Sequence, residues 1–220
     1  MSASKSFKVV LLGEAGVGKT SIIHQFAYHQ FDPDCLASIS AQFISKTVEY
    51  KGFGPIKFDI WDTAGQERYR SMARIFYKDA KVIIFVYDIT NQASFDGIKD
   101  YWFEQIKINC EEDAVLALVA NKNDLYDEQQ VLDESGQIFA DDINAIFQST
   151  SAFSDKGIEL LFENIGKKLM DPEYDYKDSD KKAKAKYNLK LKKEKENNSG
   201  NNIKLDNSKN NNSNQGGCCS

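Results

Sequence analysis

Apolar residues along this chain follow two rhythms in turn. Runs that are continuously apolar, or apolar at alternate positions, cover residues 7–12, 43–50, 56–61, 81–87, 115–120 and 145–148, as strands with one or both faces buried require. Between them, apolar residues recur at helical spacing over 19–28, 95–109, 132–141 and 157–169, with a shorter stretch near 68–77. Strand and helix therefore alternate, which predicts an α/β fold with a six-stranded, mainly parallel sheet and helices on both faces. One hairpin is expected, between the second and third strands. In such sheets ligands bind beyond the carboxyl ends of the strands.

Composition divides the chain. Its 220 residues are 41% hydrophobic, ample for a core, and its net charge is -5. Residues 1–170 hold 17 Lys and Arg against 25 Asp and Glu, whereas 171–220 hold 11 against 8, including nine lysines between positions 177 and 195. From 197 to 215 the chain is mostly Asn, Ser and Lys, with almost nothing apolar to bury, so a disordered tail is expected. The four cysteines, Cys35, Cys110, Cys218 and Cys219, lack metal-ligand spacing, and a reducing compartment is expected. Apolar runs such as 82–87 are far short of the roughly 18 residues of a membrane span. The short apolar stretch before Gly13 argues against a secretory signal. Cys110 reads as a small core residue, Cys35 as an exposed bystander, and His24 and His29 as surface or packing residues of a helix.

Three loops, each after an apolar strand, carry chemistry. Gly13-Glu14-Ala15-Gly16-Val17-Gly18-Lys19-Thr20 fits GxxxxGK followed by Ser or Thr, between a strand and a helix. Its glycines let backbone N–H groups point inward, and the helix start adds a positive dipole end, so phosphate is the natural guest. Lys19 would reach the β- and γ-phosphates, and the Thr20 hydroxyl a Mg²⁺ bridging them. Asp62-Thr63-Ala64-Gly65-Gln66 sets an acid at a strand end, where it would hold Mg²⁺ through water, and Gly65 where a γ-phosphate can approach. In Asn121-Lys122-Asn123-Asp124, Asp124 can accept from guanine N1–H and the exocyclic amine. Adenine lacks that donor pair and would leave a carboxylate unpaired, which selects the nucleotide. Each loop alone also reads as an ordinary polar turn; the three in order leave little room for that.

With these boxes the chain resembles a Ras-superfamily GTPase over about residues 7–170, and within it a Rab, most like the early-endosomal subgroup. Trp61-Asp62-Thr63-Ala64-Gly65-Gln66-Glu67-Arg68-Tyr69 and Val86-Tyr87-Asp88-Ile89-Thr90 carry the Rab likeness. The resemblance implies a three-layer P-loop NTPase G domain over 1–170, with a hypervariable tail over 171–220. It implies nucleotide contacts from Gly13, Ala15, Gly16, Val17, Gly18, Lys19, Thr20, Ser21, Phe31, Ser38, Gly65, Asn121, Lys122, Asp124, Ser151, Ala152 and Phe153. Phe31 would stack on the guanine, and the Ala152 N–H would donate to its O6. Thr20, Ser38 and Asp62 would be the Mg²⁺ ligands, Gln66 would position the attacking water, and Ile39, Phe43, Trp61 and Phe76 would meet effectors. By residue type alone, aromatics on strands are more often core. The chain departs from the pattern at Ser38, usually Thr, at Ser40, usually Gly, and at Phe153, usually Lys; Ala15 puts a methyl near the γ-phosphate.

The end, Gly216-Gly217-Cys218-Cys219-Ser220, excludes a C-a-a-X box, because Gly217 stands fourth from the end. It looks like a Rab CCX ending, which implies geranylgeranylation of Cys218 and Cys219. Two lipids make physical sense because one chain anchors only marginally. The upstream lysines read equally as a solvated linker and as an aid to binding an anionic leaflet. The resemblance implies a slow GTP/GDP switch of vesicle traffic on the cytoplasmic face of intracellular membranes, endosomal ones among them, cycling with the cytosol. Its expected partners are an exchange factor, a GTPase-activating protein, a GDP-dissociation inhibitor, a Rab escort protein and effectors, with no nucleic acid. A nucleotide-locked, poorly hydrolysing adaptor and an ATP-using P-loop enzyme are the competing expectations.

Overall fold

A computed structural model describes residues 5–33, 42–62, 77–110 and 113–177. Six strands form one sheet: β1 (Lys5–Leu12), β2 (Gln42–Tyr50), β3 (Gly54–Asp62), β4 (Val82–Asp88), β5 (Val115–Asn121) and β6 (Ile146–Ser149). The helices are α1 (Lys19–Tyr28), α2 (Gln92–Gly97), α3 (Phe103–Asn109), α4 (Asp133–Asp142) and α5 (Ile158–Met170). A π-helical turn, Ile98–Trp102, joins α2 to α3, and a 3-10 turn, Asn123–Glu128, follows β5. The strand order is β2-β3-β1-β4-β5-β6, with β2 and β3 antiparallel and every other pair parallel. This is the mainly parallel sheet with one hairpin that the alternation predicts.

The structure corrects several boundaries. The single helix expected over 95–109 begins at Gln92 and is interrupted where the Phe103 N–H bonds the Ile98 carbonyl, five residues back. Buried Ile98, Trp102 and Ile106 stand four apart, a spacing that suits α and π turns alike, so periodicity does not reveal the change. The last strand and last helix each lie one residue later than expected. Of the short helix expected near 68–77, only Tyr77 is among the described residues. Cys110 is partly buried, its thiol donating to the Tyr77 carbonyl at 3.4 Å. His29 is exposed and ends α1 in a left-handed conformation, φ 52°.

Helices cover both faces of the sheet. On one, α1 and α5 meet over β3, where the Phe26 and Phe162 rings stack and Phe58 stands edge-on to both. On the other, Val10, Leu12, Ile83, Phe85 and Tyr87 pack against Phe95, Ile98, Trp102, Ile106 and Ala140. β4 is buried along its whole length, which is why its run is continuously apolar. At the far end of the hairpin, buried Tyr50 donates to the Phe162 carbonyl at 2.6 Å. Gly166 makes room for that ring, since a Cβ there would come 2.1 Å from it. No helix among the described residues is long and apolar enough to cross a membrane.

Candidate functional site

Three left-handed glycines shape the loop between β1 and α1: φ is 148° at Gly13, 77° at Gly16 and 94° at Gly18. A Cβ on Gly13 would lie 2.2 Å from the Val86 carbonyl oxygen, and one on Gly18 2.4 Å from Asn121 Nδ2. Side chains are therefore excluded at both positions by space as well as by torsion. The unsatisfied N–H groups and positive dipole end of α1 open onto this loop. Lys19, only 5% exposed, folds back so that Nζ donates to the carbonyls of Gly13 at 2.9 Å and Glu14 at 2.8 Å. Burial lowers its pKa to about 8, against the opposing pull of Asp62 and Glu14. Ala15 and Gly16 are exposed on the loop, Val17 is buried beneath it, and Ser21 is half-buried in the first turn of α1.

Thr20 and Asp62, 42 residues apart in sequence, meet here: the Thr20 hydroxyl donates to Asp62 Oδ2 at 2.6 Å. Asp62 ends β3 and is 1% exposed. Among the described residues no group of three or more His, Cys, Asp or Glu side chains is placed to hold a metal by itself. One hydroxyl and one carboxylate fit Mg²⁺, which keeps several waters and takes further oxygens from phosphate.

Asn121, at the end of β5 and 1% exposed, makes two bonds in opposite directions. Its Nδ2 donates to the Val17 carbonyl at 2.9 Å, and its Oδ1 accepts from the Thr150 hydroxyl at 3.1 Å. Asp124 Oδ1 accepts from the Ser151 hydroxyl at 2.5 Å, and Ser151 Oγ accepts from the Ser154 N–H at 3.0 Å. Lys122 has a left-handed backbone, φ 67°, and its Nζ pairs with Asp88 Oδ2 at 2.6 Å. Ala152 is buried, whereas Phe153 is 66% and Phe31 37% exposed. Those two rings meet edge to face with centroids 5.5 Å apart, leaving aromatic surface that a planar base can use. The loop between β1 and α1 and the segment that holds an anchored carboxylate are thus joined through one amide side chain.

The Ras family model matches residues 8–171, which include every site residue described above. The chain belongs to the Ras family of small GTPases. It is 42% identical over 170 residues to Ras-related protein RabJ of Dictyostelium discoideum, covering 77% of this chain and 66% of that protein. Against Ras-related protein Rab-22A of Homo sapiens the identity is 40% over 167 residues, 76% of this chain and 85% of the relative. Ras-related protein RABF2a of Arabidopsis thaliana is 40% identical over 162 residues, 74% of this chain and 80% of its own. These relatives place the GTPase in the Rab branch, whose chemistry is hydrolysis of GTP to GDP and phosphate.

Of the side chains expected to meet effectors, Phe43 and Trp61 of this GTPase face each other across β2 and β3, with ring centroids 5.2 Å apart. Phe43 is 53% exposed, and Trp61 is half-buried against the core. Ser38, Ile39, Gly65, Gln66, Phe76, Cys218 and Cys219 lie outside the described residues. The sequence did not single out Thr150, Asp88 or the pair Glu14 and Trp102 as supports of the site. Two of these had a signal: Thr150 directly precedes Ser151-Ala152-Phe153, and Asp88 ends its apolar run as Asp62 and Asn121 end theirs.

Proposed function

We propose that this GTPase is a membrane-traffic switch that binds GTP or GDP at 13–20, 121–124 and 151–153 and hydrolyses GTP slowly. The observation that carries the reading is Asn121, which ties the Val17 carbonyl to Thr150 and so joins the phosphate end of the site to the base end. The guest that fits both ends is a phosphorylated purine. Asp124, held by Ser151, accepts from guanine N1–H and its amine, the Ala152 N–H donates to O6, and Phe31 and Phe153 flank the base. Lys19 and the loop N–H groups hold the β- and γ-phosphates. Thr20, Asp62 and Ser38 would hold Mg²⁺, which supplies charge neutralisation at those phosphates.

Gln66 orients the attacking water, and loss of the γ-phosphate releases the segments around Ser38 and Gly65, changing which effectors meet Ile39, Phe43, Trp61 and Phe76. An arginine from an activating protein adds on the order of 10³ to 10⁵ in rate. An exchange factor reloads the site. With geranylgeranyl groups on Cys218 and Cys219, delivered by an escort protein and covered by a GDP-dissociation inhibitor, the protein cycles between cytosol and the cytoplasmic face of endosomal membranes.

Competition binding tests the base end. Asp124→Asn weakens GTP about a hundredfold and favours the xanthine nucleotide; ATP competing as well as GTP with the wild type contradicts the reading. Single-turnover hydrolysis tests the switch: wild type converts bound GTP, and Gln66→Leu slows it at least about tenfold. No turnover by wild type, even with an activating protein, makes the protein a nucleotide-locked adaptor, the reading that Ala15, exposed on the loop, Ser38 and Phe153 together motivate.

A further inference from the structure

The helix on the β4 side of the sheet reaches the phosphate loop at Glu14. Trp102, the last residue of the π-helical turn and 2% exposed, donates its indole N–H to Glu14 Oε1 at 3.3 Å. The Glu14 side chain lies over Gly97, the last residue of α2, where a Cβ would come 2.9 Å from that same oxygen. On the other side of Glu14, its backbone carbonyl and that of Gly13 receive the Lys19 ammonium. Side chain and backbone of one residue therefore connect the helix to the lysine of the loop. A loop with left-handed glycines at Gly13, Gly16 and Gly18 has much conformational freedom to lose when a ligand orders it. An anchor present before binding reduces that loss. π-turns inside α-helices recur at functional sites, and this one ends on the residue that makes the contact.

We propose that Trp102 and Gly97 are positioning residues for nucleotide binding: they seat the Glu14 side chain on the helix, hold the carbonyls that fix Lys19, and so set how fast nucleotide leaves. The proposal rests on the reading of 13–20 as the phosphate loop. Neither residue touches the nucleotide; both act through Glu14.

Dissociation of N-methylanthraniloyl-GDP from the full chain, displaced by excess GDP at fixed Mg²⁺, reads this directly. Trp102→Phe, Gly97→Ala and Glu14→Ala each speed release about tenfold, the size of one hydrogen bond to a charged group. Glu14→Gln, which keeps an acceptor for the indole, stays within about threefold. In the Glu14→Ala background, neither Trp102→Phe nor Gly97→Ala adds anything, whereas independent loosening of the fold multiplies the effects. Gly97→Ala separates the roles further, because alanine strengthens the helix itself and a merely structural glycine predicts no faster release. Should Trp102→Phe fail to fold, the cycle of Gly97→Ala with Glu14→Ala makes the same test. Single-variant rates within about twofold of wild type, or multiplicative doubles, overturn the proposal. Wild type that retains no labelled GDP overturns the reading of 13–20 instead, a separate outcome.

Discussion

Under the proposed function Lys19 meets two opposed demands, since burial disfavours its charge and phosphate requires it. Burial lowers its pKa to about 8, from an ordinary 10.5. The unfolded chain then holds more protons than the folded one between those values, so this group's contribution to stability rises with pH there, and its cost is complete below pH 8. Phosphate binding retains the proton, so affinity for GDP is level below pH 8 and falls above it, by up to about tenfold per unit. Calorimetric titration across pH 7 to 9.5, in buffers of different ionisation enthalpy, should show proton uptake on the alkaline side; affinity that stays level there contradicts this account. Lys19, Thr20 and Asp62 could be singled out from the sequence because type and position after a strand state their chemistry. Asn121 could be singled out only in part: its bonds reach residues 104 and 29 positions away, and no local spacing records them.

Among the elements, strands were easiest to read, because burial imposes alternation or continuous apolar runs on them. Helix interiors were less so, and the π-helical turn at Ile98–Trp102 left no trace in a four-residue spacing that both helix types satisfy. The 3-10 turn at Asn123–Glu128 buries none of its residues, so no apolar stripe announces it. The hairpin β2–β3 holds to α5 through Tyr50, whose hydroxyl meets the Phe162 carbonyl and whose ring fills the space above Gly166. Burial pushes that hydroxyl's pKa far up, so it remains a donor at any pH the protein meets. Tyr50→Phe keeps the ring and loses the bond, which costs about 1 kcal/mol. Gly166→Ala drives a methyl into the ring and costs more, about 1 to 3 kcal/mol. Denaturant melts of the GDP-bound protein check both, and equal midpoints for Gly166→Ala and wild type would remove the packing argument.

Taken whole, the chain brings its chemistry to one edge of the sheet, because a parallel order sends every loop after β1, β3, β4, β5 and β6 to the carboxyl side. That much follows from the order of strands and helices alone. The net -8 of residues 1–170 and the net +3 of 171–220 give the two portions opposite preferences for an anionic surface, the second being the attracted one. Fractionation of cells expressing the full chain should find wild type on membranes and the double variant Cys218→Ser, Cys219→Ser in the cytosol, since the lysines alone anchor weakly. Mass spectrometry of the terminal peptide should show two prenyl groups; unmodified thiols on membrane-bound protein would sink the anchor. Asn121 has a last consequence, for genetics. Because its one amide serves Val17 on one side and Thr150 on the other, under the proposed function alleles at this position cannot separate failure to hold phosphate from failure to choose a base. Alleles at Asp124 can, and a screen that confuses the two positions will mistake a change of specificity for a loss of function.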